Sequence, residues 1–433
     1  MKYFGTDGIR GEWGIFPANG FCFNILAQAL ERFHGGLKRV VIGRDPRISG
    51  KKIRDFLISG FSDAVEIVDA GILTSPLLSR SVGETQSDFG LMITASHNPA
   101  KDNGVKIFDR LGSKLSQENE AKIESLMDEM VNVVQNEGHR MVHHRMGVHR
   151  AIEAEIFKTF PKVVIDCANG AAVEFAKKAY HFPEIEWLGV SPDGYNINAN
   201  CGSEHPELLI KKVRDSKGNL GIAHDGDGDR LLLCDGHGNI LAGEVILGII
   251  AIDLHRVGRL KENKMVTTQM SNRGLEAALE KRGIGVDYAD VGDRNVAARM
   301  CELGCNFGGE TSGHIIFRDE APTSDGIQTA LLFLRAMDNL KISLGEAIDR
   351  IPLFPKKFCN VAVNNKIPLE QLPDVQNTIA ELEHFLSSKG KILVRYSGTE
   401  NKLRLLVEAE TEFLADEMMG KLKNSIENCT KII

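Results

Sequence analysis

Gly221-Ile222-Ala223-His224-Asp225-Gly226-Asp227-Gly228-Asp229-Arg230-Leu231-Leu232-Leu233-Cys234 runs an apolar strand into three carboxylates at alternate positions and out into a second apolar strand. In extended backbone, side chains at i, i+2 and i+4 point the same way. The intervening glycines permit close approach and dihedrals that other residues avoid. Three anions on one face repel one another unless a cation joins them, so Asp225, Asp227 and Asp229 are candidate metal ligands. All-oxygen donors suit Mg²⁺ or Ca²⁺ rather than a soft metal, and Mg²⁺ usually keeps positions for a substrate phosphate. A calcium loop of the EF-hand type needs Gly at its sixth position and Glu at its twelfth. Here those positions hold Arg230 and Gly236, which excludes it. Phosphate chemistry is the reading; a solvated acidic turn is the alternative.

A single hydrophobic core stops growing near about 250 to 300 residues, so a chain of 433 residues is expected to hold three or four domains. With 42% hydrophobic and 26% charged residues the composition is that of an ordinary folded protein, not a disordered one. A net charge of -7 excludes an electrostatically driven nucleic-acid binder and leaves room for a local basic pocket, which suits a phosphorylated metabolite. The eight cysteines are scattered singly, with only Cys301 and Cys305 near each other, and read as reduced core residues. Met1 is followed by no apolar leader, and no run of about 18 apolar residues occurs. A cytoplasmic protein without a membrane partner is expected.

Two further strands run into polar loops: Gly90-Leu91-Met92-Ile93 into Thr94-Ala95-Ser96-His97-Asn98-Pro99, and Asn306-Phe307 into Gly308-Gly309-Glu310-Thr311-Ser312-Gly313-His314. Short strands such as Val40-Val41-Ile42 and Val163-Val164-Ile165 alternate with helical patterns, which favours α/β layers with ligands beyond the strand ends. Ile327, Ala330, Leu331 and Leu334 follow the helical period behind a Ser324 or Asp325 cap. The stretch 138–150, with His139, His143, His144 and His149 among basic residues, reads as a solvated boundary rather than a zinc site, because no carboxylate or thiol interleaves with it. Beyond Pro352 and Pro355 the strands 360–363, 391–394 and 403–407, then an amphipathic helix, predict a small α+β domain.

Ser96 ends its strand among small neighbours, on what reads as a solvent-facing loop with an accessible hydroxyl. It lacks the Gly-x-Ser-x-Gly elbow of a serine hydrolase, and alone would be a turn. Beside a three-Asp loop it becomes a candidate to carry a phosphoryl group. In Arg395-Tyr396-Ser397-Gly398-Thr399-Glu400, Arg395 offers a planar fork to phosphate oxygens and Ser397, Gly398 and Thr399 can turn their N–H groups into a nest. The P-loop spacing is missing. Glu310 and Ser312 place a carboxylate and a hydroxyl two apart, suited to neighbouring sugar hydroxyls; a glycine-rich connection with Glu310 in a salt bridge is the alternative.

With these motifs in this order, and Phe4-Gly5-Thr6-Asp7-Gly8-Ile9-Arg10-Gly11 ahead of them, the chain resembles the α-D-phosphohexomutases over essentially its whole length. The resemblance implies an α/β fold: three similar α/β domains plus a smaller C-terminal α+β domain around a central cleft, with expected bounds 1–147, 148–245, 246–353 and 354–433. It implies a phosphorylated Ser96, with Mg²⁺ held by Ser96, Asp225, Asp227 and Asp229. Arg10 and Lys106 match positions that assist charge or proton handling. Arg230, Glu310, Ser312, His314, Arg395, Ser397, Gly398 and Thr399 match substrate-binding positions. Phe4 to Gly8, Asp193 to Asn198, Cys201 to Ser203 and Val291 to Arg294 are similar to a bacterial branch of the family. That branch interconverts glucosamine 6- and 1-phosphates through glucosamine 1,6-bisphosphate, feeding cell-wall precursors. The partner implied is a small phosphosugar, with neither nucleic acid nor membrane and with a homodimer left open. Thr94 and Thr311 depart from that branch, and Asn401 replaces a common proline, so glucose and mannose phosphates stay as alternative substrates. A sugar-phosphate sensor is the alternative from another class, against which an intact Ser96, three Asp and Arg395 argue.

Overall fold

Strands whose residues are apolar on both faces, such as Val40-Val41-Ile42, can only be satisfied between two helical layers, and that requirement organises most of the chain. The computed structural model describes residues 2–131, 143–144, 155–156, 159–397 and 401–430. The first sheet has the order Ile9–Glu12, Asp102–Phe108, Phe89–Ile93, Arg39–Arg44, Glu66–Ile72, His143–His144. The second runs Glu184–Leu188, Lys162–Asp166, Leu220–Ala223, Leu232–Asp235, and the third Gly285–Ala289, Lys264–Thr268, Phe307–Gly309, Ile315–Phe317. In each, a parallel core ends on a strand that turns back as an antiparallel neighbour: Phe89–Ile93 pairs with Asp102–Phe108, Leu220–Ala223 with Leu232–Asp235, and Phe307–Gly309 with Ile315–Phe317. The loops at these three reversals are the serine, aspartate and sugar loops of the sequence. Of the stretch expected to be a solvated boundary, His143–His144 pairs in parallel with Val68 and Asp69; His139 and His149 lie outside the described residues.

The helix Gly326–Leu340 is capped by Asp325, whose side chain accepts from Gln328 N. It buries the expected Ile327, Ala330, Leu331 and Leu334. With Gly243–Arg256 it sits in one apolar cluster that also takes in Leu77 and Leu78 of the first unit and Ile165 and Leu233 of the second, so the cores of the α/β units are continuous. Arg80 on Asp325 at 2.8 Å and Arg294 on both oxygens of Glu120 at 2.7 and 2.6 Å add polar ties between the first and third units.

The fourth sheet is antiparallel, in the order Lys356–Ala362, Lys402–Ala409, Gly390–Tyr396, and is covered by Pro373–Leu386 and Glu412–Thr430. A buried ionic knot fastens it to the third unit. Glu408 is fully buried and accepts the Arg273 N–H, with Lys391 at 3.7 Å and Lys356 at 3.9 Å. Lys391 Nζ donates to the carbonyls of Gln269, at 2.9 Å, and Ser271. Burial depresses the Lys391 ammonium to about 8 and raises the Glu408 carboxyl. Breaking one member of a buried ion pair costs about 3 to 5 kcal/mol because the other charge stays buried. Glu408→Ala should therefore bring urea unfolding, followed by circular dichroism, to a lower midpoint. An unchanged midpoint would mean that the knot is neutralised without Glu408.

Candidate active site

Arg47 organises the serine loop and carries no signal in sequence. Its side chain is fully buried against Asp45 at 2.9 Å, and its guanidinium donates to the carbonyls of Ser96 at 2.9 Å, Asn98 at 2.8 Å, Asp102 at 2.9 Å and Pro99. Asn198, from the loop 193–198, adds donors to Ser96 O at 2.8 Å and Asn98 O at 3.0 Å. Thr94 Oγ1 donates to Asp45 and accepts from Ser96 N, both within 2.8 Å. The Thr94 hydroxyl is thus used in shaping the loop. These bonds hold Ser96 at φ 52°, a left-handed conformation that costs a non-glycine residue about 1 to 3 kcal/mol.

The sequence placed Ser96 on a solvent-facing loop; the structure corrects this, since Ser96 is 2% exposed. The reason is the neighbouring aspartate loop. A Cβ on Gly226 would lie 2.5 Å from Ser96 O, so only glycine lets the two loops press together. Ser96 Oγ consequently donates to Asp225 Oδ2 at 2.7 Å.

Asp225, Asp227 and Asp229 are all buried, and one oxygen of each lies within 4.8 Å of the others. Burial first, then Asp229 and Asp227, push the Asp225 carboxyl up to about 7. Lys106, itself buried, reaches Asp227 Oδ2 and Asp229 Oδ2 at 2.7 Å each, and Ser75 Oγ donates to Asp227 Oδ2. The remaining oxygens, Asp227 Oδ1 and Asp229 Oδ1, are buried without a hydrogen bond; His314 Nε2 approaches the latter at 3.3 Å. Unsatisfied buried carboxylate oxygens beside a third carboxylate fit a small hard cation.

Of the other residues marked by the sequence, Arg10 ion-pairs with Asp7 at 2.6 Å, and Lys106 also approaches Asp7, at 3.3 Å. His314 joins the metal loop to the sugar loop. Burial opposes its charge, but Asp229 and Glu310 outweigh burial and bring it up to about 9. Arg230 Nε lies 3.0 Å from His314, and its guanidinium pairs with Glu204. Glu310 is buried and accepts from Gly292 N at 2.8 Å, whereas Ser312 is exposed. Arg395 sits directly across the sheet from Arg404, beside a cavity of about 290 Å³ that Met270 of the third unit also lines. Arg404 donates to the buried Ser397 Oγ at 3.2 Å. Gly398 and Thr399 lie outside the described residues. Sequence reasoning missed Arg47 and Lys114, because a buried lysine or arginine differs from a surface one only in what folds over it, and it marked the loop 193–198 without giving Asn198 its role.

Models of phosphoglucomutase/phosphomannomutase domains match in order: alpha/beta/alpha domain I at 1–133, domain II at 148–238, domain III at 242–354 and the C-terminal domain at 359–424. The phosphoglucosamine mutase of Nautilia profundicola is 38% identical over 441 residues, covering 98% of each chain. The chain belongs to the phosphoglucomutase/phosphomannomutase family. Another such relative, the phosphoglucosamine mutase of Lactococcus lactis subsp. lactis, is 39% identical over 444 residues with 98% of both chains covered. Among solved structures, a family protein from Burkholderia thailandensis superposes with a TM-score of 0.79 at 20% identity, covering 99% of this chain and 97% of that one. N-acetylphosphoglucosamine mutase from Aspergillus fumigatus, solved with GlcNAc-6P and magnesium, gives 0.61 at 17% identity, covering 99% and 96%. At these identities the structural matches speak for the fold. Membership makes the chain a mutase enzyme of four-domain architecture.

The unsatisfied oxygens generate a test that needs no substrate. A cation that binds the folded site alone stabilises it by about 2.7 kcal/mol at a hundred times its dissociation constant. Mg²⁺ or Mn²⁺ should therefore raise the thermal midpoint of the wild type, and Asp227→Asn should blunt the rise. Equal shifts in both proteins would place the ion elsewhere.

Proposed function

We propose that this enzyme interconverts glucosamine 6-phosphate and glucosamine 1-phosphate by way of a phosphorylated Ser96 and a bound glucosamine 1,6-bisphosphate. The observation that carries the reading is the contact of Ser96 Oγ with Asp225 inside a buried three-carboxylate loop. The full-length relatives named phosphoglucosamine mutase support the choice of amino sugar.

In the proposed cycle a sugar hydroxyl attacks the phosphorus on Ser96. The bond from phosphorus to Ser96 Oγ breaks, the bond to the sugar oxygen forms, and the hydroxyl proton leaves to a neighbouring base. The bisphosphate then turns over and returns its other phosphoryl group to Ser96. Asp225, Asp227 and Asp229, with phosphorylated Ser96, are the residues that would hold Mg²⁺. Bound there, the ion supplies charge neutralisation for the transferring group, the main demand of phosphoryl transfer. Lys106 and Arg10 place further positive charge beside the same loop. Glu310, Ser312 and His314 face the sugar, Arg230 adds a cation beside them, and Arg395 with Ser397, Gly398 and Thr399 anchors the phosphate that is not reacting. One anchor for both phosphosugars accounts for a reaction in which the sugar must reverse. The proposed domain bounds are 1–147, 148–245, 246–353 and 354–433, and the proposed setting is cytoplasmic; among the described residues no helix is long and apolar enough to cross a membrane.

Intact-mass analysis should find one phosphate on the active wild type and none on Ser96→Ala, which should fold yet lose turnover because the covalent carrier is gone. A coupled assay with the 6-phosphates of glucosamine, glucose and mannose should rank glucosamine first. Near-normal rates for Ser96→Ala would overturn the mechanism, and a preference for glucose or mannose would overturn the substrate.

Arg395→Ala removes charge-assisted hydrogen bonds worth roughly 1.5 to 3 kcal/mol, so apparent affinity should fall about ten- to a hundredfold. Forward and reverse kinetics should be damaged alike. Damage with only one of the two phosphosugars would mean two separate phosphate sites.

A further inference from the structure

Seven side chains and one backbone N–H close into a ring that begins and ends on Asp229. Lys106 Nζ lies 2.7 Å from Asp229 Oδ2 and 3.3 Å from Asp7 Oδ2. Asp7 Oδ1 takes the Lys114 ammonium at 3.0 Å, and the same nitrogen donates to Asp293 Oδ1 at 2.9 Å. Asp293 opens the helix Asp293–Leu303 directly after Gly292, whose N–H donates to Glu310 Oε1 at 2.8 Å. Glu310 Oε2 is 3.4 Å from His314 Nδ1, and His314 Nε2 returns to Asp229 Oδ1 at 3.3 Å. The first unit supplies Asp7, Lys106 and Lys114, the second Asp229, and the third Asp293, Glu310 and His314.

Lys114 and Asp293 form the link that makes this a ring. Their side chains are only 7% and 10% exposed, so the pair is poorly screened by solvent. Asp293 Oδ2 lies 2.8 Å from the same Lys114 nitrogen and also accepts from Ser324 Oγ at 3.2 Å. Gly292 has φ 118°, a conformation closed to other residues, so its N–H direction depends on what anchors the turn. Asp7 meanwhile shares three cations, Arg10, Lys106 and Lys114. Removing one strengthens its pull on the others, and Lys106 stands only 0.6 Å farther from Asp7 (3.3 Å) than from Asp229 (2.7 Å).

We propose that Lys114 and Asp293 are positioning residues that set two things together: where Lys106 stands between Asp7 and Asp229, and how Glu310 is presented to the sugar. This rests on the function proposed above. Neither residue touches the reacting atoms. The ring lets the sugar loop and the charge at the metal loop adjust as one unit, as preorganised sites require.

The test uses the full-length magnesium enzyme with Lys114→Met, Asp293→Ala, the double variant and the conservative Lys114→Arg. Each single cut should lower kcat about tenfold and raise KM about threefold, and the double variant should be no worse than the poorer single, because either cut opens the same ring. Lys114→Arg should stay within about threefold of wild type, since it keeps the charge. Mn²⁺ titration of the sugar-free protein should show severalfold tighter binding in Lys114→Met, because a Lys106 drawn to Asp7 no longer offsets Asp229. Multiplying losses in the double variant would overturn the proposal. So would unchanged kinetics and Mn²⁺ affinity beside a lowered melting temperature, which a merely structural tie would give. A wild type inert on all three phosphosugars would overturn the functional reading alone, while the Mn²⁺ titration would still decide the ring.

Discussion

Three carboxylates buried within 4.8 Å of one another are the constraint on which the rest of this site depends. Such a cluster is costly in a medium that screens poorly, and the molecule answers it with Lys106 directly and with Arg10, Lys114, Arg230 and His314 around it. Even so, Asp225 rises to about 7 and oxygens of Asp227 and Asp229 stay without a hydrogen bond. A site left short of positive charge in this way suits a small hard cation better than it suits stability in its absence. Stability is recovered in the continuous apolar cluster that links the α/β units.

The same strand reversal is used three times with different chemistry. After Ile93 it presents Ser96, after Ala223 the aspartates, and after Gly309 Glu310 and His314. Sharing one local geometry, the three loops can meet, and the contacts between them confirm that they do: Ser96 on Asp225, and His314 on Asp229. The fourth unit differs in kind, an antiparallel sheet fastened through Glu408 and Lys391 rather than through the shared apolar core.

Much of the architecture was legible in order and type. The alternating aspartates, the capped helix at 326–340 and the change to strands followed by a helix beyond Pro355 all express local rules that need no partner: period and capping. The exposure of Ser96 was misread because its cover comes from Gly226 and Asn198, more than 100 positions away. Thr94 stood out in sequence only as a departure from a bacterial branch; that it supports the loop backbone is revealed only by its hydrogen bonds to Asp45 and Ser96.

By itself, then, the sequence determined the classes of chemistry: hard oxygen ligands, a hydroxyl at a strand end, a carboxylate with a hydroxyl two residues on, and an arginine near a Ser-Gly-Thr stretch. These follow from residue type and spacing, because functional groups and backbone periods are local properties. Only the tertiary structure decided which charges face one another. Lys106, Lys114 and Arg47 are three basic residues among 52 in the sequence. Folding makes one a bridge across two aspartates, one a link between units and one the brace of the serine loop. The physical reason is that a charge acquires its energy from its surroundings, from burial and from the distance to its partners, and those are set by chain segments far apart in sequence.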